Sequence, residues 1–279
     1  MKNILILGCG YVGTKLAEGL LAQGNVNLFC VKRSPANLPQ GVKFIKADIL
    51  STEDISKLPQ KIDYIIYLIS ADQHTDEAYE KAYVKGIAQV LKYYQVERES
   101  IKKLIYISST SVYGEEDGRV VDEETPTVPK GFSGERIIQG EEIVRNSGFN
   151  YAILRFAGIY GPSRLRLVEE VKSGALKYSA NKRYTNRIHR DDCAGIIRFL
   201  MDTELSERIF IGVDDNPADL NEIISWIANI LGITEIEFST ADIPSLLRGN
   251  KRCSNQRLKT CGYVFKYPSY KEGYLELLK

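Results

Sequence analysis

The sequence predicts an α/β protein: a doubly wound parallel sheet carrying a small C-terminal α/β lobe. Three observations carry this. Short apolar runs alternate with helical patterns through the first half of the chain. Runs such as Tyr64-Ile65-Ile66-Tyr67-Leu68-Ile69 are continuously apolar, which suits strands covered by helices on both faces. The chain also opens on an apolar run, Ile4-Leu5-Ile6-Leu7, that passes directly into Gly8-Cys9-Gly10-Tyr11-Val12-Gly13.

Taken in order, strands are predicted at 3–7, 26–31, 43–46, 62–68 and 103–108, with helices at 11–23, around 52–58 and at 76–95. Parallel strands need crossovers, and right-handed ones stack helices on both sides of the sheet. Residues 114–133 are rich in Gly, Pro, Asp, Glu and Thr and read as a surface loop. A helix at 134–147 and a strand at 151–156 follow, after which the periodicity becomes irregular. Leu220–Leu231 is an amphipathic helix with Asp219 as its N-cap and Gly232 as its stop. Residues 1–162 are assigned to one domain. Residues 163–279 are assigned mainly to a lobe, with elements returning to the first domain.

The glycines of the first turn have separable physical reasons. Gly8 permits the tight turn, Gly10 lets a pyrophosphate approach the backbone, and Gly13 lets the helix lie close on the strand. The helix then presents unpaired N–H groups and its positive dipole end to the phosphates. A strand before these glycines and a helix after them make this a Rossmann-type dinucleotide site rather than a bare glycine turn.

Which dinucleotide is read from the end of the second strand, Val31-Lys32-Arg33-Ser34. A site for NAD carries an acidic residue about 20 positions after the glycines to take the ribose hydroxyls. No Asp or Glu occurs from Gly19 to Ala47. Arg33 and Ser34 suit a 2′-phosphate, with Arg33 forking to its oxygens or stacking on adenine. NADP is therefore expected, with NAD as the alternative and an exposed basic turn as the non-functional reading. Asp48 either accepts from the adenine amino group or caps the next helix.

Bulk properties narrow the class. The chain has 279 residues and a formal net charge of +1, which argues for no nucleic-acid or membrane partner. No apolar run approaches the ~20 residues that span a bilayer, and the opening apolar run is not that of a signal peptide. Cys9, Cys30, Cys193, Cys253 and Cys261 are scattered without a CxxC pair, and the histidines are only His74 and His189. A reduced, cytoplasmic protein with no structural metal is the expectation.

Four further segments are Ile107-Ser108-Ser109-Thr110-Ser111-Val112-Tyr113-Gly114, Leu154-Arg155-Phe156-Ala157-Gly158-Ile159-Tyr160-Gly161-Pro162, Asn186-Arg187-Ile188-His189-Arg190-Asp191-Asp192 and Gly212-Val213-Asp214-Asp215. Together with the glycines they resemble the extended short-chain dehydrogenase/reductases, the NAD-dependent epimerase/dehydratase group, essentially end to end. The tail Lys251-Arg252-Cys253-Ser254-Asn255 with Tyr267-Pro268 resembles an atypical branch of it. The resemblance implies cofactor contacts at Tyr11, Val12, Asp48, Ile49, Ser70, Ser108, Arg136, Gly158 and Ile159, beside Gly8, Gly10, Gly13, Arg33 and Ser34. It also implies that the Ser109 hydroxyl holds the reacting oxygen of a small-molecule substrate, and it suggests a homodimer through the helices at 76–95 and 134–147.

Two departures matter. The family's catalytic pair is Tyr-x-x-x-Lys, the tyrosine acting as acid and base and the lysine lowering its pKa. No tyrosine occurs between Tyr113 and Tyr151, so the pair cannot be placed. Arg136 stands in for the lysine only as a cofactor contact, and Ser133 near the tyrosine's place is a poor acid. Tyr83 and Tyr113 are weak substitutes. The second departure is Thr185, where sugar-nucleotide members carry an arginine. His189 and Asp192 read as structural, pairing with each other or capping a helix. Two functions stay open. One is an oxidoreductase or epimerase acting on a small polar, sugar-like carbonyl or alcohol. The other is a non-catalytic NADP-binding regulator or scaffold.

Overall fold

The computed structural model describes residues 1–35, 37–239 and 249–279. Its centre is a seven-stranded parallel sheet of β1 (Lys2–Leu7), β2 (Val26–Lys32), β3 (Lys43–Lys46), β4 (Tyr64–Tyr67), β5 (Lys103–Ser109), β6 (Tyr151–Phe156) and β7 (Ile209–Gly212). The strands lie in the order β7-β6-β5-β4-β1-β2-β3. The chain runs outward from β1 to β3, then crosses back to β4 and runs the other way. That reversal opens a crevice beyond the carboxyl ends of β1 and β4.

Alternate residues of each strand serve opposite faces. Ile4 and Ile6 pack with Leu16 and Leu20 of α1 (Tyr11–Gln23) and with Ile196 and Ile197 of the helix Arg190–Asp202. Leu5 and Leu7 pack on the other face with Ile87, Val90 and Leu91 of α2 (Gly86–Tyr94) and Val144 of α3 (Phe132–Arg145). The helix Arg190–Asp202 is α4. Both faces are thus covered, which explains the continuous apolar runs.

A separate apolar cluster lies in the C-terminal region. Ile223, Ile224 and Ile227 of α5 (Leu220–Leu231) meet Val168, Val171, Tyr160 and the tyrosines 270 and 274 of α6 (Tyr270–Leu277). Asp219 caps α5 by accepting the Asn221 N–H, and Gly232 ends it in the left-handed conformation, φ 70°. Strand β7 comes from this half of the sequence and joins the central sheet beside β6.

The structure differs from the sequence reading in three places. The helix expected at 76–95 is an α-turn Asp76–Tyr79, a π-helix Glu80–Lys85 and then α2. Two buried tyrosine hydroxyls account for the wide turn. Tyr67 of β4 donates to the Ala82 carbonyl and Tyr106 of β5 to the Tyr83 carbonyl, so both carbonyls are satisfied from outside the helix. The helix around 52–58 is the short Thr52–Ile55. The 114–133 stretch carries a two-residue strand, Val120–Val121, paired in parallel with Arg252–Cys253. No helix among the described residues is long and apolar enough to cross a membrane.

Candidate active site

The crevice is a cleft of about 800 Å³, within the size range of small-molecule and cofactor pockets. Gly8, at φ +89°, turns the chain from β1 toward α1. A Cβ there would lie 2.7 Å from the Ile69 nitrogen and 2.8 Å from the Leu68 carbonyl oxygen, so only glycine fits. A Cβ at Gly13 would lie 2.9 Å from the Gly8 carbonyl oxygen. Gly10 begins α1 with no side-chain cap, and no acidic residue occupies the first turn. The helix N-terminus keeps its donors and positive field for an anion. These residues fit a dinucleotide's pyrophosphate.

At the β2 end of the cleft Arg33 is largely exposed, its Nη1 3.3 Å from Asp72 Oδ2. Ser34 lies beside it. Asp48 Oδ1 accepts the Leu50 N–H at 2.9 Å, while Ser51 caps the following helix. Asp48 is therefore a cleft residue and not that helix's cap. Ile49, Ser70, Tyr11, Val12 and Ile159 line the same cleft.

The far end holds Ser108, Ser109 and Tyr83. Ser109 closes β5, and its Oγ accepts the Ser111 N–H at 3.1 Å, leaving the hydroxyl proton to donate. Tyr83 comes from the π-helix, and burial pushes its phenol pKa up, with Tyr79 adding to the shift. The phenol stays protonated at neutral pH. Its ring lies 5.4 Å from that of Tyr79, which meets Phe132 at the start of α3 edge-on.

Three expected site residues are not brought to the cleft. Tyr113 is buried, accepts from Arg155 Nη1 at 2.7 Å, and has its pKa raised by burial. Arg136 forks onto Asp76 at 2.7 and 2.9 Å. Gly158 pairs with Arg187 in a two-strand ribbon, Gly158–Tyr160 with Arg187–His189. Ser108 lines the cleft, but its hydroxyl donates to Glu141 Oε1 at 2.6 Å.

Beneath the site lies a network the sequence reading missed. Glu141 of α3 is fully buried and accepts from Ser108, from Arg145 at 2.7 Å, and from Arg155 of β6 at 2.9 and 2.6 Å. Burial disfavours the Arg155 cation, yet its bonds to Glu141 more than offset this and raise its pKa. A charge inside the apolar run Tyr151–Phe156 was the available signal, since buried arginines need a partner.

His189 and Asp192 do not pair. His189 Nδ1 accepts the Asp191 N–H at 3.2 Å and so caps α4. Asp192 accepts the Lys266 and Tyr267 N–H groups at 2.8 and 3.0 Å and the Tyr263 hydroxyl at 2.9 Å, tying the C-terminal segment to α4. Asp214, just past β7, is buried, and its Oδ2 has no hydrogen-bond partner among the described residues. Burial raises its pKa to about 8 against the opposing pull of Arg187. Thr185, at the position of the sugar-nucleotide arginine, accepts from Arg187 Nη2 at 3.0 Å.

A glycine-built turn at the sheet's switch point, with a serine at the end of β5, is the arrangement the family resemblance required. The family model for the NAD dependent epimerase/dehydratase family matches residues 4–212. The chain belongs to that family. Among solved structures, a Methylobacillus flagellatus protein described at the level of an NAD-dependent epimerase/dehydratase is 34% identical, with TM-score 0.84, covering 99% of this chain and 97% of that one. Protein YeeZ of Escherichia coli (strain K12) is 25% identical, over 96% of this chain and 97% of its own length. The UDP-glucuronic acid 4-epimerase from Bacillus cereus, solved with NAD, is 22% identical with TM-score 0.79 over 97% of this chain and 95% of that one, and shares the fold. The chain is thus an epimerase/dehydratase-family member whose α3 carries no tyrosine.

Proposed function

We propose that the protein is an NADP-dependent oxidoreductase or epimerase acting on a small polar carbonyl or alcohol. The observation that carries this is one continuous cleft joining the glycine turn and Arg33 to Ser109 and Tyr83. Gly8, Gly10, Val12 and Gly13 would hold the pyrophosphate, Arg33 and Ser34 the 2′-phosphate, and Asp48 the adenine. Bound there, the cofactor supplies hydride transfer. Ser109 holds and polarises the substrate oxygen through its free proton. Tyr83 is a second donor, but with no lysine partner it remains a weak acid. Residues 163–279 mainly form the substrate lobe. Thr185 stands where sugar-nucleotide members carry an arginine, and its hydroxyl accepts from Arg187 and donates to the Ala218 carbonyl, which argues against a UDP-sugar grip of the ordinary kind. The free cysteines suit a reducing, cytoplasmic setting.

A second reading, a non-catalytic NADP-binding regulator, is favoured by a specific observation. Arg136 is held by Asp76 and the start of α3 presents Phe132, so the family's tyrosine–lysine engine has no replacement on that helix. A panel of small aldehydes, ketones and polyols incubated with NADPH or NADP separates the two, followed by nicotinamide absorbance. The enzyme reading expects turnover that falls ~10-fold or more in Ser109→Ala, the loss of one transition-state hydrogen bond, with cofactor affinity unchanged. A folded, NADP-binding protein inert across the panel supports the regulator.

A further inference from the structure

We propose that Arg164 binds the dinucleotide's pyrophosphate, held over the glycine turn by stacking on Tyr11; this rests on the dinucleotide reading above. Arg164 lines the cleft with Gly10, Tyr11 and Val12. Its guanidinium carbon lies 4.2 Å from the centre of the Tyr11 ring, a cation–π distance. Tyr11 is the first residue of α1, so the cation sits at the helix end where anions bind.

The placement is built by the backbone. After Tyr160 the chain makes a tight turn in which the Arg164 N–H donates to the Gly161 carbonyl at 2.9 Å. Ser163 adopts φ 63°, a left-handed conformation that non-glycine residues rarely take. A Cβ at Gly161 would lie 2.8 Å from the Tyr11 hydroxyl. That hydroxyl donates to the Pro162 carbonyl at 2.8 Å and fastens the turn to α1. The segment after β6 is thereby strapped onto the glycine turn, with Arg164 at its tip.

Among the described residues no carboxylate pairs with the charge at this tip. Tyr11 has a second cation on its ring, Arg190 at 5.0 Å, but Arg190 is drawn to Asp191 at 3.5 Å. The Arg164 guanidinium stacks on the Tyr11 ring and is exposed to the cleft. A cation beside a positive helix terminus is unfavourable until an anion joins them. The pyrophosphate is that anion, because Tyr11 belongs to the turn whose N–H groups cradle it, whereas the substrate end lies at Ser109. The glycine spacing could not show this residue: Arg164 lies on a different crossover, far along the chain.

The experiment is a calorimetric titration with ADP-ribose, which has the pyrophosphate but neither nicotinamide nor 2′-phosphate. Arg164→Met is expected to weaken ADP-ribose ~10-fold, about one charge-assisted hydrogen bond, and to weaken NADPH and NADH by the same factor. Arg164→Lys, which keeps charge and loses the stack, should fall between. Melting without nucleotide should be unchanged, since the side chain is exposed. ADP-ribose affinity unaltered in Arg164→Met overturns the proposal and hands the cation to another anion, while leaving the cofactor reading intact. A wild-type protein that binds neither ADP-ribose nor NADPH overturns the cofactor reading itself.

Discussion

Glu141→Ala is expected to destabilise the protein by ~3–5 kcal/mol, the cost of leaving a buried ion without its partner. The carboxylate is fully buried and accepts from three side chains at once, and Arg155 beside it is only 1% exposed. Removing it strands Arg155 inside the sheet with the Tyr113 hydroxyl as its remaining partner. Arg155→Met should cost less, because Glu141 keeps Arg145 and Ser108 and the methionine fills much of the space. Urea unfolding measures both. A midpoint for Glu141→Ala that corresponds to less than ~1 kcal/mol would contradict the network as described. The damage should also reach the cleft, because Ser108, the neighbour of Ser109 on β5, is fastened to Glu141.

His189 is expected to make stability fall in acid. Burial drives its pKa down to about 4, with Asp191 pulling the other way and Lys266 and Arg190 adding to the depression. The unfolded histidine titrates near 6.5. Between those values the unfolded chain binds the proton and the folded one does not. The contribution is therefore fully present above about 6.5 and is lost as pH falls through about 4, ~3 kcal/mol in all. Asp214 acts in the opposite sense, since its raised pKa makes stability fall as pH rises toward about 8. The wild-type profile mixes the two, so the informative quantity is the difference from His189→Asn, which keeps a capping side chain on α4. The wild type's advantage over that variant should shrink by ~3 kcal/mol from pH 7 to pH 4. A constant difference would show that His189 is protonated in the fold as readily as in the unfolded chain.

Much of the sheet was legible because its signals are local. The apolar runs mark β1, β2, β4, β5 and β6, and Asp219 and Gly232 mark both ends of α5 by their own chemistry. The π-helix was not legible, because it depends on hydroxyls from Tyr67 and Tyr106 on other strands. Nor was the pairing of Val120–Val121 with Arg252–Cys253, which joins segments far apart in sequence. The site divides the same way. Arg33, Asp48, Ser70 and Ser109 lie at or just past the carboxyl ends of strands, so their meeting in one cleft follows from the fold class. Tyr113 and Arg136 are diverted by Arg155 and Asp76, partners that no spacing reveals.

The proposed function requires that this cleft bind a nicotinamide dinucleotide and that Arg33 read its 2′-phosphate. Arg33 is well placed for that role, since among the described residues it pairs with the exposed Asp72 at 3.3 Å, a contact of the kind worth little in water. Titration of NADPH and NADH into the wild type and Arg33→Ala tests it directly. The expected result is tighter binding of NADPH by the wild type, and a ~30-fold loss for NADPH with little change for NADH in Arg33→Ala, the worth of a forked arginine–phosphate contact. Equal losses for the two, or a wild type that prefers NADH, would contradict the 2′-phosphate reading, and binding of neither would contradict the cofactor site.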